Sequence, residues 1–150
     1  MNQESIFELI RTAEYLNNES MILFVSMFNK NVGVSQVLVL AELAEKGPQM
    51  QSRLSKRLGY TPGAMTGIAN KLIKEGYAER EYDETDRRII RIAITEKGTQ
   101  LLQEAQKQGK KMRENLYSVL TEEEVVQLFT IQKKLIKQVL HLKSQIDKKE

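Results

Sequence analysis

A short polar segment, Asp83-Glu84-Thr85-Asp86-Arg87-Arg88, separates two apolar-patterned stretches of the chain, and Arg80 and Arg91 flank it. Arginines at the tip of a two-stranded ribbon are suited to a narrow DNA minor groove, where the negative potential attracts guanidinium groups. Asp83 and Asp86 are unexpected beside a polyanion, so we expect one of them to pair with a neighbouring arginine and stiffen the tip. The alternative is a solvated turn of mixed charge.

Besides the arginines described above, residues 62–74 carry side chains that are suited to contact a nucleic acid. Small residues let a helix backbone approach the floor of a DNA groove, and first-turn N–H groups can meet a phosphate. Thr66 and Asn70 are suited to base edges, and Lys71 and Lys74 to phosphates. The alternative is an ordinary helical hairpin within a bundle. The candidate DNA-binding residues of this segment are Pro62, Gly63, Thr66, Gly67, Asn70, Lys71 and Lys74.

The residue types that catalysis or metal binding requires are scarce. The sequence has no cysteine, a single histidine at His141, and no glycine-rich phosphate loop, which disfavours thiol chemistry, a metal site and an enzyme. Glu122, Glu123 and Glu124 lie together, but at a predicted helix start, where acidic side chains suit the helix dipole. We therefore expect no enzymatic activity, no cofactor and no metal.

Hydrophobic periodicity predicts the helices that position these residues. Thr61 is the expected N-cap of a helix that has proline at its first position, and Gly59 ends the short helix before it. Two short helices joined by such a turn form a helix-turn-helix, whose second helix is the candidate for a DNA major groove. Ser35 is the expected N-cap of an earlier helix. The predicted helices in this half cover 5–28, 36–45, 50–58 and 62–74.

After Gly76 the apolar period changes from that of a helix to that of a strand. Residues 78–82 and 89–95 are predicted strands. A long helix over residues 96–119 follows, and a capping box at Thr121 begins the last one. The expected fold is mainly α with a small β wing of two or three strands, in which residues 48–95 form a winged helix-turn-helix.

Charge is distributed unevenly along the chain. Residues 1–47 carry a net charge of −3, residues 48–95 of +3 and residues 96–150 of +3, a weak indication of a polyanionic partner. Glu4 and Glu8 lie where a secretion signal would be basic or apolar, and the longest apolar run is too short to cross a bilayer. We therefore expect a cytoplasmic protein that does not engage membranes.

The stretches 58–77 and 80–98 together resemble the MarR family of bacterial winged helix-turn-helix transcriptional regulators. The aspartate–any–arginine signature of that family's wing falls on Asp86 and Arg88, and its threonine–any two–glycine exit falls on Thr95 and Gly98. The resemblance implies a homodimer that binds a pseudo-palindromic double-stranded DNA operator and usually represses transcription. It also implies that Arg88 enters the minor groove and that Asp86 stabilises it.

Two further arginines complete the expected wing. Arg87 precedes Arg88 at the tip and is a candidate DNA contact. Arg80, in the first predicted strand, is expected to stabilise the wing together with Asp86.

The flanking helices predict self-association. The first helix is apolar on nearly all sides near its end, and the last has a long apolar seam, which is more apolar surface than a thin monomer can bury. We expect residues 34–98 to form the DNA-binding lobe of one 150-residue chain, and residues 1–33 and 99–150 to form a helical dimerisation lobe. The alternative is packing of these helices within one subunit.

A ligand and a different function remain open alternatives. The resemblance implies that many members release DNA when a small aromatic or lipophilic ligand binds between the lobes. Phe7, Tyr15, Phe24, Phe28 and Met50 are candidate lining residues, with core packing as the alternative. The alternative function is a winged-helix module that binds protein and not DNA, which the small, polar face of the fourth helix disfavours.

Overall fold

The computed structural model describes residues 3–146, and these form six helices and an antiparallel pair of strands. The predicted order of four helices, a hairpin and two helices is confirmed, as is the mainly α fold with a β wing. The elements are α1 (Gln3–Phe28), α2 (Val34–Lys46), α3 (Gln51–Leu58), α4 (Pro62–Lys74), β1 (Ala78–Tyr82), β2 (Ile90–Ile94), α5 (Glu96–Tyr117) and α6 (Glu122–Ile146).

The start of α2 corrects the sequence prediction. Gly33, and not Ser35, is the N-cap, because the side-chain oxygen of Gln36 accepts a hydrogen bond from the Gly33 N–H at 2.9 Å. A glutamine at the third helical position thus satisfies an N–H that would otherwise lack a helical partner. The helix consequently begins at Val34, two residues earlier than predicted. Two other ends differ by the same amount, since α1 begins two residues earlier than predicted, at Gln3, and α5 ends two residues earlier, at Tyr117. β2 is one residue shorter at each end.

The turn between α3 and α4 has the predicted local chemistry. Gly59 adopts the left-handed conformation, with φ of 73°, which lets the chain leave α3 abruptly. The Thr61 hydroxyl oxygen accepts a hydrogen bond from the Ala64 N–H at 3.2 Å, and Pro62 occupies the first turn of α4. The start of the candidate recognition helix is therefore specified by two adjacent residues.

Replacing Thr61 with alanine is expected to lower the free energy of unfolding by about 1 kcal/mol, because the Ala64 N–H loses its side-chain acceptor. Chemical denaturation measures this change. Thr66→Ala, at an exposed position of the same helix, is the matched control and should be neutral or slightly stabilising, since the Thr66 hydroxyl only donates back to the Pro62 carbonyl. Equal losses in the two variants would contradict the capping role.

The strands form the predicted wing. β1 and β2 pair antiparallel, with Ala78 opposite Ile94 and Tyr82 opposite Ile90. Gln49 adds a single antiparallel bridge to Ile92, with hydrogen bonds of 3.0 and 2.8 Å in the two directions. The wing is thus a two-stranded ribbon whose inner strand is also held to the chain just before α3.

The hydrophobic core joins the helix-turn-helix to the wing. Leu40, Leu43, Leu54 and Met65 are almost fully buried, and Ile92 on β2 packs into the same cluster. α4 contributes Met65, Ile68, Ala69 and Leu72 to the buried side of this unit. Because the helix and the ribbon share one core, the two candidate DNA-contacting elements are held by the same packing.

The described chain divides into two compact units, with the boundary between Lys110 and Lys111 inside α5. In the first unit, α1 exposes many large apolar side chains, Phe7, Leu9 and Leu16 among them. In the second, α6 has no buried residue, and Leu135 and Leu140 are both more than half exposed. None of the helices within residues 3–146 combines the length and apolar character needed to span a membrane.

Candidate nucleic-acid interface

The face of α4 opposite its buried residues is small and polar. A Cβ added at Gly63 or Gly67 would meet nothing within 4 Å, so an approaching molecule could come close to the backbone there. Lys71 is half-buried at the edge of this face. The exposed residues predicted from sequence are Pro62, Gly63, Thr66, Gly67, Asn70 and Lys74.

The two predicted base-contacting side chains each make a hydrogen bond within the protein. The Thr66 hydroxyl donates to the Pro62 carbonyl at 2.9 Å, so its oxygen keeps its acceptor capacity. Asn70 Oδ1 accepts from Arg80 Nη2 at 2.8 Å. Arg80, predicted as a wing-stabilising residue, therefore bonds to α4, whereas other arginines pair with the aspartates of the wing tip.

Asp86 and Arg88 form a two-pronged ion pair at the wing tip. Arg88 Nε lies 3.0 Å from Asp86 Oδ1, and Arg88 Nη2 lies 2.9 Å from Asp86 Oδ2. The backbone N–H of Arg88 also donates to Asp86 Oδ1 at 3.0 Å. The Arg88 side chain is nevertheless 91% exposed, so the carboxylate holds the guanidinium from one edge and leaves the other edge to solvent. Arg87 is exposed beside it.

Asp83 organises the other side of the hairpin tip. Its carboxylate accepts hydrogen bonds from the Thr85 N–H and hydroxyl and from the Asp86 N–H, and it pairs with Arg91 Nη1 at 2.9 Å. We predicted that one of the two aspartates pairs with an arginine, and both do. Asp83 bonds across the ribbon, which stiffens the tip.

The ion pairs also determine the charge state of the tip. The Thr85 hydroxyl and the Arg91 guanidinium hold the pKa of Asp83 well below its usual range. Hydrogen bonds from Arg88 lower the pKa of Asp86, and Asp86 in turn raises the pKa of the Arg88 guanidinium. Both aspartates are therefore ionised and paired at neutral pH, which resolves the apparent conflict between acidic residues and a polyanionic partner.

The residues that follow β2 hold the C-terminal end of α4 in place. The Thr95 hydroxyl donates to the Gly76 carbonyl at 2.7 Å and accepts from the Gly98 N–H at 3.1 Å. Lys97 Nζ donates to the Glu75 carbonyl at 2.6 Å and lies 4.8 Å from the centre of the Tyr77 ring. Thr95 and Gly98, which carry the family signature, therefore hold the C-terminal end of α4 against the start of α5, and the sequence pattern gave no indication of this link to α4.

Two basic residues of α3 were not singled out from sequence. Arg53 and Lys56 are exposed and three residues apart, so they share one side of the helix. Arg57 differs from them, because its Nε lies 3.3 Å from an oxygen of the buried Glu42. The first helix of a helix-turn-helix crosses the DNA backbone. The spacing of Arg53 and Lys56 on that helix could therefore have identified them from the sequence as candidate phosphate contacts.

The predicted ligand-lining residues are not brought together. Phe28 is buried in the core and Phe24 stacks on it, with ring centroids 5.5 Å apart, so these two rings follow the core-packing alternative. Phe7 and Tyr15 are exposed on α1, and Met50 is exposed before α3.

His141 lies on α6 beside Gln145, with Nε2 atoms 3.0 Å apart. Among residues 3–146, no cluster of three or more histidine, cysteine, aspartate or glutamate side chains is arranged to hold a metal ion.

The family model described as "MarR family" matches residues 34–90. The HTH-type transcriptional repressor MdtR of Bacillus subtilis is 32% identical over 110 residues, which cover 73% of this chain and 71% of that protein. A MarR family protein from Bacillus stearothermophilus has the same fold, with a TM-score of 0.80 at 21% identity, over 93% of this chain and 99% of that one. A mutant of MarR from Escherichia coli complexed with operator DNA matches with a TM-score of 0.74 at 22% identity, over 90% and 99%.

Proposed function

This chain belongs to the MarR family, and we propose that it acts as a transcriptional repressor that binds a pseudo-palindromic DNA operator as a homodimer. The similar repressor from Bacillus subtilis and the DNA-bound structural relative support a regulator that works on double-stranded DNA. Operator binding takes place where the DNA is, so the proposed site of action is the cytoplasm.

The bidentate pair of Asp86 and Arg88 is the observation that carries this proposal. A fork of two hydrogen bonds fixes the guanidinium plane before DNA arrives, so less side-chain entropy is lost on binding. The exposed edge of Arg88 then enters the minor groove, and Arg87 contacts the flanking backbone. Asp86 adds no repulsion, because its charge is compensated within the wing.

The face of α4 enters the major groove in this proposal. Gly63 and Gly67 allow close approach, and Pro62 brings the first turn of the helix to the backbone. Thr66 and Asn70 contact base edges, while Lys71 and Lys74 bind phosphates. Arg53 and Lys56 on α3 add phosphate contacts, since the first helix of this motif crosses the DNA backbone.

Dimerisation is proposed to occur through the flanking helices. Residues 34–98 form the DNA-binding lobe in this scheme, and residues 1–33 and 99–150 form the dimerisation lobe. The support is the large apolar surface that α1 and α6 each leave exposed, because contiguous exposed apolar surface of this extent marks an interface in a protein that stays in solution. A two-fold dimer presents two copies of α4 to two half-sites of an operator.

A small aromatic or lipophilic ligand is proposed to weaken operator binding. The exposed aromatic rings of Phe7 and Tyr15 on α1 offer apolar contact area for such a compound, whereas Phe24 and Phe28 are engaged in the core. Gel shifts in the presence of a panel of phenolic and lipophilic compounds test whether any of them releases the operator.

Gel-shift assays with genomic fragments, followed by footprinting of the bound fragment, test the DNA-binding proposal, and Arg88→Ala is the decisive variant. Loss of a charge-assisted contact is expected to weaken operator binding by about tenfold or more, and to reduce the slope of log affinity against log salt by about one. Arg88→Lys retains the positive charge but not the two-pronged geometry, so its operator affinity should lie between those of wild type and Arg88→Ala.

The matched control for the wing is Arg113→Ala, which removes an exposed arginine of α5 outside the helix-turn-helix and the wing. Its operator affinity should stay within about twofold of wild type. An Arg88→Ala protein that binds as well as this control would show that the wing assignment is wrong. A wild-type protein that binds randomised DNA as tightly as any genomic fragment would contradict sequence-specific regulation.

A further inference from the structure

The β ribbon of the wing has one face that is directed towards α4. Side chains alternate along a strand, so Arg80 and Tyr82 of β1 share one face with their β2 partners Ile92 and Ile90. On this face Ile92 packs into the core that includes α4 residues, and Arg80 bonds to Asn70 of α4 at 2.8 Å. Tyr82 and Ile90 therefore lie on the same side of the ribbon as α4.

Tyr82 and Ile90 form an exposed apolar pair at the outer end of this face. They stand opposite each other in the last pair of the ladder before the hairpin tip. Tyr82 is 58% exposed and Ile90 is 39% exposed, whereas Ile92, two residues further along β2, is buried. An aromatic and a β-branched side chain stabilise a ribbon as a cross-strand pair. That pairing still leaves more than half of Tyr82 free to contact a partner.

The charges of the two strands indicate a polyanionic partner for this pair. Arg80 is the charged strand residue on the face directed towards α4. The opposite face carries Glu79 and Glu81, with Arg91 across from Glu81. A negatively charged molecule can therefore approach Tyr82 from the α4 side without meeting an acidic side chain of β1 or β2.

The position of the pair between the two proposed groove contacts identifies the part of the DNA that it meets. In the proposed complex α4 lies in the major groove and Arg88 in the adjacent minor groove. A single sugar–phosphate strand separates adjacent grooves of a duplex. That strand has to pass between α4 and the wing tip, along the face that carries Tyr82 and Ile90. Deoxyribose presents C–H groups to an aromatic ring there, and phosphate oxygens can accept from a tyrosine hydroxyl.

We infer that Tyr82, with Ile90 beside it, is a sequence-independent DNA contact. Its ring packs on the deoxyribose groups of the operator strand that runs between the major and the minor groove, and its hydroxyl donates to a phosphate of that strand. The inference rests on the proposed function, since it assumes both groove assignments. It adds an uncharged contact to a wing whose other proposed contacts are arginines.

The first test measures operator binding by wild type, Tyr82→Thr and Tyr82→Phe over a series of salt concentrations. Tyr82→Thr removes the ring but keeps a strand-forming residue, and its operator affinity should fall by about tenfold or more. The slope of log affinity against log salt should stay unchanged, because no cation is removed, in contrast to Arg88→Ala. The loss should be the same on base-substituted operators, since every nucleotide carries the same sugar. Tyr82→Phe keeps the ring and should bind more tightly than Tyr82→Thr.

Glu79 provides the matched control, because it lies on the opposite face of the same strand. Glu79→Thr should leave operator affinity within about twofold of wild type. The chain has no tryptophan, so Tyr82→Trp and Glu79→Trp each introduce one fluorescent indole. Operator binding should shift the emission of Tyr82→Trp to shorter wavelength and shield it from acrylamide, while the emission of Glu79→Trp should change little. Thermal unfolding confirms that each variant is folded, and Tyr82→Trp remains informative if Tyr82→Thr does not fold.

The inference is overturned if folded Tyr82→Thr binds the operator as tightly as Glu79→Thr, which would make Tyr82 a cross-strand partner of Ile90 and nothing more. It is also overturned if Tyr82→Phe binds as weakly as Tyr82→Thr, or if Tyr82→Trp binds the operator with no change in emission. In each of these outcomes the wild-type protein still binds its operator selectively, so the proposed function stands. Absence of selective binding by the wild-type protein would instead overturn the proposed function and this inference together.

Discussion

Gly98→Ala is expected to lower the free energy of unfolding by about 3 kcal/mol or more, which corresponds to a fall in melting temperature of about 10 °C. A Cβ at this position would lie 2.0 Å from the carbonyl oxygen of Tyr77 and 2.9 Å from a side-chain carbon of Ile94. Because the nearest atom is backbone, it cannot move aside as a flexible side chain would. Urea denaturation with an unchanged m-value measures the loss.

Gly98→Ala should also disturb the position of α4, the candidate recognition helix, besides lowering overall stability. The Tyr77 carbonyl accepts the Thr95 N–H at 3.1 Å, and the Thr95 hydroxyl is bonded to Gly76, so a displaced carbonyl disturbs the anchor at the end of α4. Gly67→Ala is the matched control, since a Cβ there meets nothing within 4 Å and alanine favours the helix by about 1 kcal/mol. A Gly98→Ala protein as stable as Gly67→Ala would contradict the close approach.

Local rules predicted the helix-turn-helix from sequence. Gly59 ends α3 and Thr61-Pro62 begin α4, and each boundary depends on residues that are adjacent in sequence. A window of a few residues is therefore enough to predict both boundaries. The pairing of Asp86 with Arg88, two residues apart at the wing tip, was accessible from the sequence for the same reason. The capping interaction between Gln36 and Gly33 was also local, but the serine at position 35 offered a more familiar cap.

Contacts between distant residues could not be predicted in the same way. The bond from Arg80 to Asn70 depends on how β1 leaves α4, and the pairing of Asp83 with Arg91 depends on the strand register. The approach of Gly98 to Tyr77 depends on the crossing of two backbones. Sequence patterns mark such residues as unusual, but only the packed structure shows which partner each one meets.

The second prediction concerns α6. Leu135→Glu is expected to convert the dimer into a monomer and to weaken operator binding by about a hundredfold or more. Leu135 is 62% exposed and lies on the seam of apolar side chains that α6 leaves uncovered. In a two-fold dimer each substitution occurs twice, so two carboxylates would have to be buried or the helices would have to separate. In a dimer, binding of one α4 to its half-site raises the effective concentration of the other α4 at the second half-site, and a monomer loses this gain.

Sedimentation or light scattering measures the oligomeric state, and a gel shift on the same samples measures operator affinity. Lys137→Glu is the matched control, because it places the same carboxylate two residues away on the opposite side of the helix. It should stay dimeric and bind the operator to within a few-fold of wild type. Since α3, α4 and the wing lie in a different compact unit from residue 135, the Leu135→Glu monomer should keep its fold and weak binding to a half-site. If instead Leu135→Glu remains a dimer with unchanged operator affinity, α6 is not the interface and the apolar seam must have another partner.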